Sequence, residues 1–143
     1  MLGINKKTLN SDLFSINDEQ LFSQLTPDEG AVIEGGGGFL IIDQLQAINA
    51  GADTFNDDDT YITVNGSRLW GASGFSTGTT SGVNRGLGVD FPTNIALFDE
   101  DDGFFGGDDD YLGGFTVNGP TNGQAITRVS GSGSTYDVYY RVF

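Results

Sequence analysis

The acidic residues of this 143-residue chain are concentrated in two short stretches. Of the 14 Asp and Glu residues that follow position 36, 11 lie within residues 53–59 and 99–110. Carboxylates at ~4 Å separation repel one another strongly unless a cation lies between them. Calcium suits such a set, because it accepts about 6–8 oxygen ligands in flexible geometry, whereas magnesium requires a tight octahedron and retains water. The charge distribution therefore predicts a fold that brings two acidic loops together around calcium.

The composition excludes several classes of function. The chain contains no cysteine and no histidine, which removes disulfides, thiolate zinc sites, histidine acid–base chemistry and the common nucleophilic triads. No isolated pair of carboxylates suited to glycoside hydrolysis is visible in the sequence, so we expect no enzymatic activity. The net charge of −14 argues against nucleic acid as a partner, because phosphate contacts need clustered Lys and Arg. No apolar run approaches the roughly 20 residues that span a bilayer, and the N-terminus does not resemble a Sec signal peptide.

The residues that follow the glycine run at positions 35–38 predict an all-β fold. Apolar and polar residues alternate over short runs, as in strands with one buried face, and 23 glycines with 12% aromatic residues favour strands joined by many turns. Asn65-Gly66 between two such runs is a strong signal for a type I′ hairpin turn. We expect about eight strands in one antiparallel β-sandwich, the clearest being residues 39–48, 61–64, 94–98, 115–117 and 136–143.

The two acidic stretches resemble the calcium-binding loops of C2 domains. The stretch Asp53-Thr-Phe-Asn-Asp-Asp-Asp59-Thr-Tyr-Ile-Thr-Val is similar to the first loop, with Thr60 in place of the usual proline, and Asp99-Glu-Asp101 followed by Asp110-Tyr-Leu-Gly113 is similar to the third loop, with a longer tip. The resemblance covers roughly residues 39–143 and implies that residues 37–143 form a C2-like β-sandwich. It also implies five calcium-binding carboxylates, those of Asp53, Asp59, Asp99, Asp101 and Asp110.

The strand periodicity adds one geometric expectation about these ligands. Side chains alternate along an extended segment, so Asp99 and Asp101 lie on the same face and can reach one metal cluster. Five further aspartates have no place in the family's pattern and are extra ligands, supports of the ligands or solvated charges: Asp57, Asp58, Asp102, Asp108 and Asp109. Two alternatives, a solubilising acidic rim and an EF-hand-like loop, fit less well, because the acids are clustered yet lack the 12-residue EF-hand spacing and its flanking helices.

Residues 1–36 differ from the rest of the chain and predict a short helical segment. Thr26-Pro27-Asp28-Glu29 has the composition of a helix start, and the glycines from Gly35 onward end the helix. The positions of Leu25, Glu29, Ile33, Gly35 and Gly36 resemble a double-glycine leader, although Gly30 stands where that family usually has leucine. The resemblance implies secretion by a bacterial peptidase-containing ABC transporter with cleavage after Gly36. The alternative is an amphipathic helix that packs on the domain through a glycine linker.

Two functions for the calcium follow from these features. We expect a secreted, extracellular or cell-surface protein in which calcium stabilises the sandwich and supports self-assembly or adhesion to a cell-surface partner, and the C-terminal strand, which ends apolar, could pair at a sheet edge. The alternative is a calcium-dependent phospholipid-binding C2 module whose Phe55, Phe104 and Phe105 enter a membrane. Only four arginines and no lysine follow residue 36, so a basic surface for acidic headgroups is not expected.

Overall fold

The computed structural model describes residues 36–53, 57–101 and 107–143. The predicted helical, leader-like segment at residues 1–36 lies outside these ranges, apart from Gly36. The described residues form eight strands and contain no helix, which confirms the all-β prediction. The strands are β1 Gly37–Asn49, β2 Asp58–Val64, β3 Ser67–Phe75, β4 Thr80–Asp90, β5 Thr93–Asp99, β6 Asp110–Val117, β7 Ala125–Gly131 and β8 Ser134–Val142.

The strands form two four-stranded antiparallel sheets. One sheet has the order β4-β1-β8-β7 and the other has the order β3-β2-β5-β6. The hairpin between β2 and β3 turns at Asn65 and Gly66, whose φ values of 49° and 80° are those that a type I′ turn requires. The C-terminal strand β8 lies between β1 and β7, so the expectation that it could pair at a sheet edge is wrong. Its apolar residues at alternate positions are buried, because successive side chains of a strand face opposite sides and one side of this sheet packs on the core.

The core lies between the two sheets and is built from the inward-facing side chains of both. Tyr136 of β8 contacts Phe75 of β3 edge to face across the core, with ring centroids 5.6 Å apart. Along one side of the sandwich β6 and β7 come so close that a Cβ added at Gly113 would lie 2.8 Å from the Ser130 nitrogen. The fully buried apolar side chains include Leu40, Ile42, Leu45, Ile62, Phe75, Leu97, Leu112, Tyr136 and Val138.

The topology brings both acidic stretches to the same end of the molecule. The first stretch connects β1 with β2, and the second connects β5 with β6. Strands β2 and β5 are antiparallel neighbours, and Thr60 near the start of β2 pairs with Asp99 at the end of β5. The turn between β7 and β8 lies beside them, because Asn49 at the end of β1 pairs with Thr135.

Within the described part of the chain, no helix is long and apolar enough to cross a membrane.

Candidate metal centre

Three aspartates from the two acidic stretches converge on one point. Asp53 follows β1, Asp99 ends β5, and Asp101 lies two residues further on. One carboxylate oxygen of each lies within 4.8 Å of the other two. Calcium–oxygen distances are about 2.3–2.6 Å, so oxygens bound to a single ion are at most about 5 Å apart. The three side chains therefore have the spacing needed to hold one cation.

Asp99 is the residue in this cluster whose environment most clearly favours a cation. Its side chain is 1% exposed, and neither carboxylate oxygen accepts a hydrogen bond from any residue that the structure describes. Burial, followed by the charges of Asp58, Asp53 and Asp101, raises the pKa of Asp99 to about 7. The backbone N–H of Asp59 has an opposite and smaller effect on this pKa, without reaching hydrogen-bonding geometry. A buried carboxylate without donors is stabilised by either a proton or a bound cation.

Asp110 lies beside this cluster without being one of the three converging residues. It is half-buried and pairs with Asp99 across β5 and β6, which places both side chains on the same face of the sheet. The pKa of Asp101 is raised by partial burial first and then by the negative charges of Asp110, Asp53 and Asp109. The structure therefore gathers four of the five expected ligands, with Asp110 as an outer neighbour of the other three.

The fifth expected ligand, Asp59, faces away from the interior of the sandwich. Asp58 and Thr60 are buried, whereas Asp59 between them is exposed. A Cβ added at Gly74 of β3 would lie 3.7 Å from the Asp59 carboxylate. Because strand side chains alternate, Asp58 shares its face with the core residue Ile62 and points toward the cluster. The strand alternation could have identified Asp58 from the sequence. Asp58 lies an even number of residues from Ile62, whereas Asp59 lies an odd number from it and therefore faces the other side.

Asp58 is completely buried and is held by neutral donors alone among the described residues. Its Oδ2 accepts hydrogen bonds from the hydroxyls of Ser134 at 2.5 Å and Tyr136 at 2.8 Å. Its Oδ1 accepts a bond from the backbone N–H of Ala52 at 3.1 Å. Burial and the neighbouring Asp58 charge raise the pKa of Tyr136, although the hydroxyl of Thr60, which donates to Tyr136 at 2.9 Å, opposes this. We call Asp58, Ser134 and Tyr136 the buried anchor.

A second, exposed set of contacts holds the other acidic stretch. The hydroxyl of Tyr61 donates to Asp109 Oδ2 at 2.6 Å, and Asp109 Oδ1 accepts the backbone N–H of Asp101 at 3.2 Å. The Tyr61 ring stacks on Phe98 at 5.4 Å between centroids, and the guanidinium of Arg68 lies 4.3 Å above its centroid. Desolvation and then the bond to Asp109 raise the pKa of Tyr61 to about 12. We call Tyr61 and Asp109 the exposed anchor.

The remaining aspartates of the two stretches have lesser roles or fall outside the described ranges. Asp57 is exposed and accepts a hydrogen bond from the Ser76 hydroxyl at 2.6 Å. Asp108 is exposed. Asp102, Phe55, Phe104 and Phe105 lie outside the residues that the structure describes.

The similarity of this chain to known proteins lies in its fold and not in its sequence. No protein-family model and no curated protein sequence matches the chain. Among solved structures, the pair of C2 domains of Extended-Synaptotagmin 2 is 14% identical with a TM-score of 0.51, covering 75% of this chain and 40% of that chain. A structure described as that of a C2 domain is 18% identical with a TM-score of 0.49, covering 73% and 97% of the two chains. A C2 domain of plant Extended Synaptotagmin 1 is 7% identical with a TM-score of 0.49, covering 75% and 93%. The two-sheet topology and the likeness to the C2 domains of Extended-Synaptotagmin 2 together show that the described residues of this chain form a C2-like β-sandwich.

Proposed function

We propose that residues 37–143 form a non-enzymatic calcium-binding module in which Asp53, Asp99 and Asp101 bind Ca²⁺. The observation that carries the proposal is Asp99, buried with both carboxylate oxygens unpartnered among the described residues and two other carboxylates within 4.8 Å. All three candidate ligands offer oxygen, which is the donor that Ca²⁺ prefers. Asp110 is close enough to contribute to the electrostatic attraction of the ion.

The first role that we propose for the calcium is to stabilise the sandwich. In the metal-free protein Asp99 and Asp58 are both buried, and the charge of Asp58 contributes to the raised pKa of Asp99. A divalent cation between the loops converts this repulsion into attraction. Because calcium binds the folded protein and not the unfolded chain, the binding free energy adds to the free energy of unfolding.

We further propose that the module is secreted and acts outside the cell, in self-assembly or in adhesion to a cell-surface partner. The support is the leader-like sequence before Gly37, together with the position of β1, which begins at that residue. Cleavage after Gly36 would leave all eight strands intact and, among the residues that the structure describes, remove one backbone hydrogen bond, from Phe91 N–H to the Gly36 carbonyl at 3.1 Å. The long edge strand β4, Thr80–Asp90, is a candidate pairing surface in place of β8.

Calcium-dependent binding to phospholipid is the second candidate, and the C2-like fold is the observation in its favour. The basic residues of the described chain argue against a lipid-binding sheet face. Three of the four arginines form ion pairs, namely Arg68 with Glu100, Arg128 with Asp137 and Arg141 with Asp43, at 2.6–2.7 Å. Acidic headgroups would therefore have to be bound through calcium itself.

A thermal melt in EDTA and then in millimolar calcium tests calcium binding. Free calcium at ~100 times its dissociation constant adds about 2.7 kcal/mol, which raises the melting temperature of a domain near 100 residues by roughly 10–20 °C. Magnesium is expected to do less, because of its stricter geometry. Asp99→Asn and Asp53→Asn should remove most of the shift. Superimposed melting curves with and without calcium would contradict the proposed function.

Asp90→Asn is the matched control for these variants. Asp90 is exposed at the end of β4, outside both acidic stretches, so its replacement makes the same chemical change away from the site. Asp137 is unsuitable because it is buried and forms two hydrogen bonds with Arg128.

The same samples separate the two candidate roles, since assembly predicts calcium-dependent light scattering by the protein alone, whereas the membrane role predicts calcium-dependent sedimentation with anionic liposomes.

A further inference from the structure

We propose that Ser134 and Asp58 are positioning residues that fix the backbone of Gly51 and Ala52, so that Asp53 is presented to the cation before the metal binds. The inference rests on the proposed calcium function and concerns two residues that do not belong to the converging triad. Neither residue needs to touch the ion. Their role is to hold the main chain immediately before Asp53.

The hydrogen bonds around Ser134 define this role. Ser134 Oγ accepts the backbone N–H groups of Gly51 and Ala52, both at 2.9 Å, and donates its own proton to Asp58 Oδ2 at 2.5 Å. Asp58 Oδ1 accepts the same Ala52 N–H at 3.1 Å. The two side chains thus hold two consecutive amides, and the next residue in the chain is Asp53. Ser134 is 2% exposed and Asp58 is fully buried, so the acceptor side chains of these bonds are shielded from water.

The turn between β7 and β8 holds the same segment from a second side. The Asn49 side-chain amide donates to the Gly133 carbonyl at 2.6 Å. Gly133 has a φ of 84°, and a Cβ added there would lie 2.8 Å from the Gly51 carbonyl oxygen. Only glycine permits both this backbone conformation and this close approach. The segment before Asp53 is therefore attached at several points to the β7–β8 turn of its own sheet, and through Asp58 to the other sheet.

Asp58 can contribute to a cation site because the hydrogen-bond donors to its carboxylate are neutral. An Arg or Lys partner would satisfy the buried carboxylate and also cancel its charge. The two hydroxyls and one amide satisfy its oxygens and leave the negative charge in place. That charge is the largest electrostatic contribution to the raised pKa of its neighbour Asp99. Asp58 therefore positions the loop and also adds to the negative potential that attracts the ion.

Preordering of the loop affects affinity through entropy. A flexible loop must lose backbone freedom when its carboxylate binds the ion, and each residue that becomes fixed adds to this entropic cost. A loop that is already held does not incur this loss on binding. Removal of the Ser134 hydroxyl should therefore weaken calcium binding, beyond any effect on the stability of the fold.

Calcium titrations of the full-length chain with Ser134→Ala and Ser130→Ala test this role. Ser130 lies in the same hairpin, but its hydroxyl bonds to Thr135 on the exposed side, so Ser130→Ala is the matched control. At a temperature where all variants are folded, we expect a Kd about tenfold weaker for Ser134→Ala and unchanged for Ser130→Ala. A purely structural role would lower the melting temperature of Ser134→Ala while its Kd stayed at the wild-type value, and that result would overturn the inference.

Amide hydrogen exchange on the unmodified protein provides a test that needs no variant. If Ser134 and Asp58 hold the loop in advance, the Gly51 and Ala52 amides are protected at least about 100-fold in EDTA as well as in calcium. Protection that appears only with calcium would overturn the inference, even if Ser134→Ala failed to fold. A wild-type protein that does not bind calcium would instead contradict the proposed function. Protected Gly51 and Ala52 amides in that protein would show only that Ser134 and Asp58 order this backbone, without a role in calcium binding.

Discussion

The two acidic stretches are held by the same chemistry in opposite surroundings. In each case a tyrosine hydroxyl donates to an aspartate that also accepts the backbone amide of a candidate ligand or of the residue beside one. The buried anchor uses Tyr136 and Asp58 and holds Ala52 beside Asp53. The exposed anchor uses Tyr61 and Asp109 and holds Asp101 itself. Asp58 is completely inaccessible, whereas Asp109 is exposed.

This difference determines how much each anchor contributes. When an exposed hydrogen bond is broken, water replaces the lost partner, so the net change in stability is small. When a buried bond is broken, the remaining partners are left unsatisfied in an apolar environment, which costs about 1–3 kcal/mol for each group. We therefore expect the fold to depend on the buried anchor and to tolerate changes in the exposed one.

Removal of the carboxylate from each anchor should give the largest contrast. Asp58→Ala leaves the Ser134 and Tyr136 hydroxyls without their acceptor and removes one of the two acceptors of the Ala52 amide, so we expect a loss of about 3–4 kcal/mol in the free energy of unfolding. Asp109→Ala should change stability by less than about 1 kcal/mol. Urea unfolding in EDTA measures both values. Equal effects of the two substitutions would show that burial does not distinguish the anchors.

The stability of the metal-free protein should fall as the pH rises toward neutrality, because of Asp99. The pKa of Asp99 in the folded protein is about 7, above the usual value of 3.8, so between these values the folded state binds the extra proton. The contribution of Asp99 to the free energy of unfolding is therefore greatest below about pH 4, and it is lost as the pH rises from there through 7. Between pH 5 and 8 the loss is roughly 2–3 kcal/mol.

Unfolding of the wild type and Asp99→Asn in EDTA at several pH values measures this dependence. The variant should lack this part of the pH dependence, since asparagine does not titrate. The effect also sharpens the comparison between buried and exposed groups, because Asp99 belongs to the same stretch as Asp109 but is buried. A wild-type protein whose stability rose steadily from pH 5 to 8, in parallel with the variant, would contradict the assignment.

The smallest expected effect is that of Tyr61→Phe. The substitution removes the bond to Asp109 and keeps the ring on Phe98 and under Arg68. We expect less than about 1 kcal/mol of destabilisation and a calcium Kd within about threefold of wild type. Unfolding and calcium titrations measure the two quantities. A tenfold loss of affinity would mean that the exposed anchor positions Asp101 as strongly as the buried anchor positions Asp53.

Several features of this protein could be predicted from local sequence patterns. The hairpin at Asn65-Gly66 depends on two neighbouring residues that accept positive φ, and the strands depend on alternation over a few positions. The pair Asp99 and Asp101 could be assigned to one site because both lie in a single extended segment. The clustering of acids in two stretches was visible without any knowledge of the fold.

The sequence by itself determined the all-β class and the two acidic loops, since each depends on composition or short-range spacing, and the resemblance of these loops to C2 domains implied the three residues that converge. Only the tertiary structure decided that Asp58 faces inward and Asp59 outward, because a shift of one residue in strand phase reverses every side chain. It also decided the partners of Asp58. Ser134 and Tyr136 lie 76 and 78 residues away in the sequence and reach it only because two sheets pack face to face at that end of the sandwich.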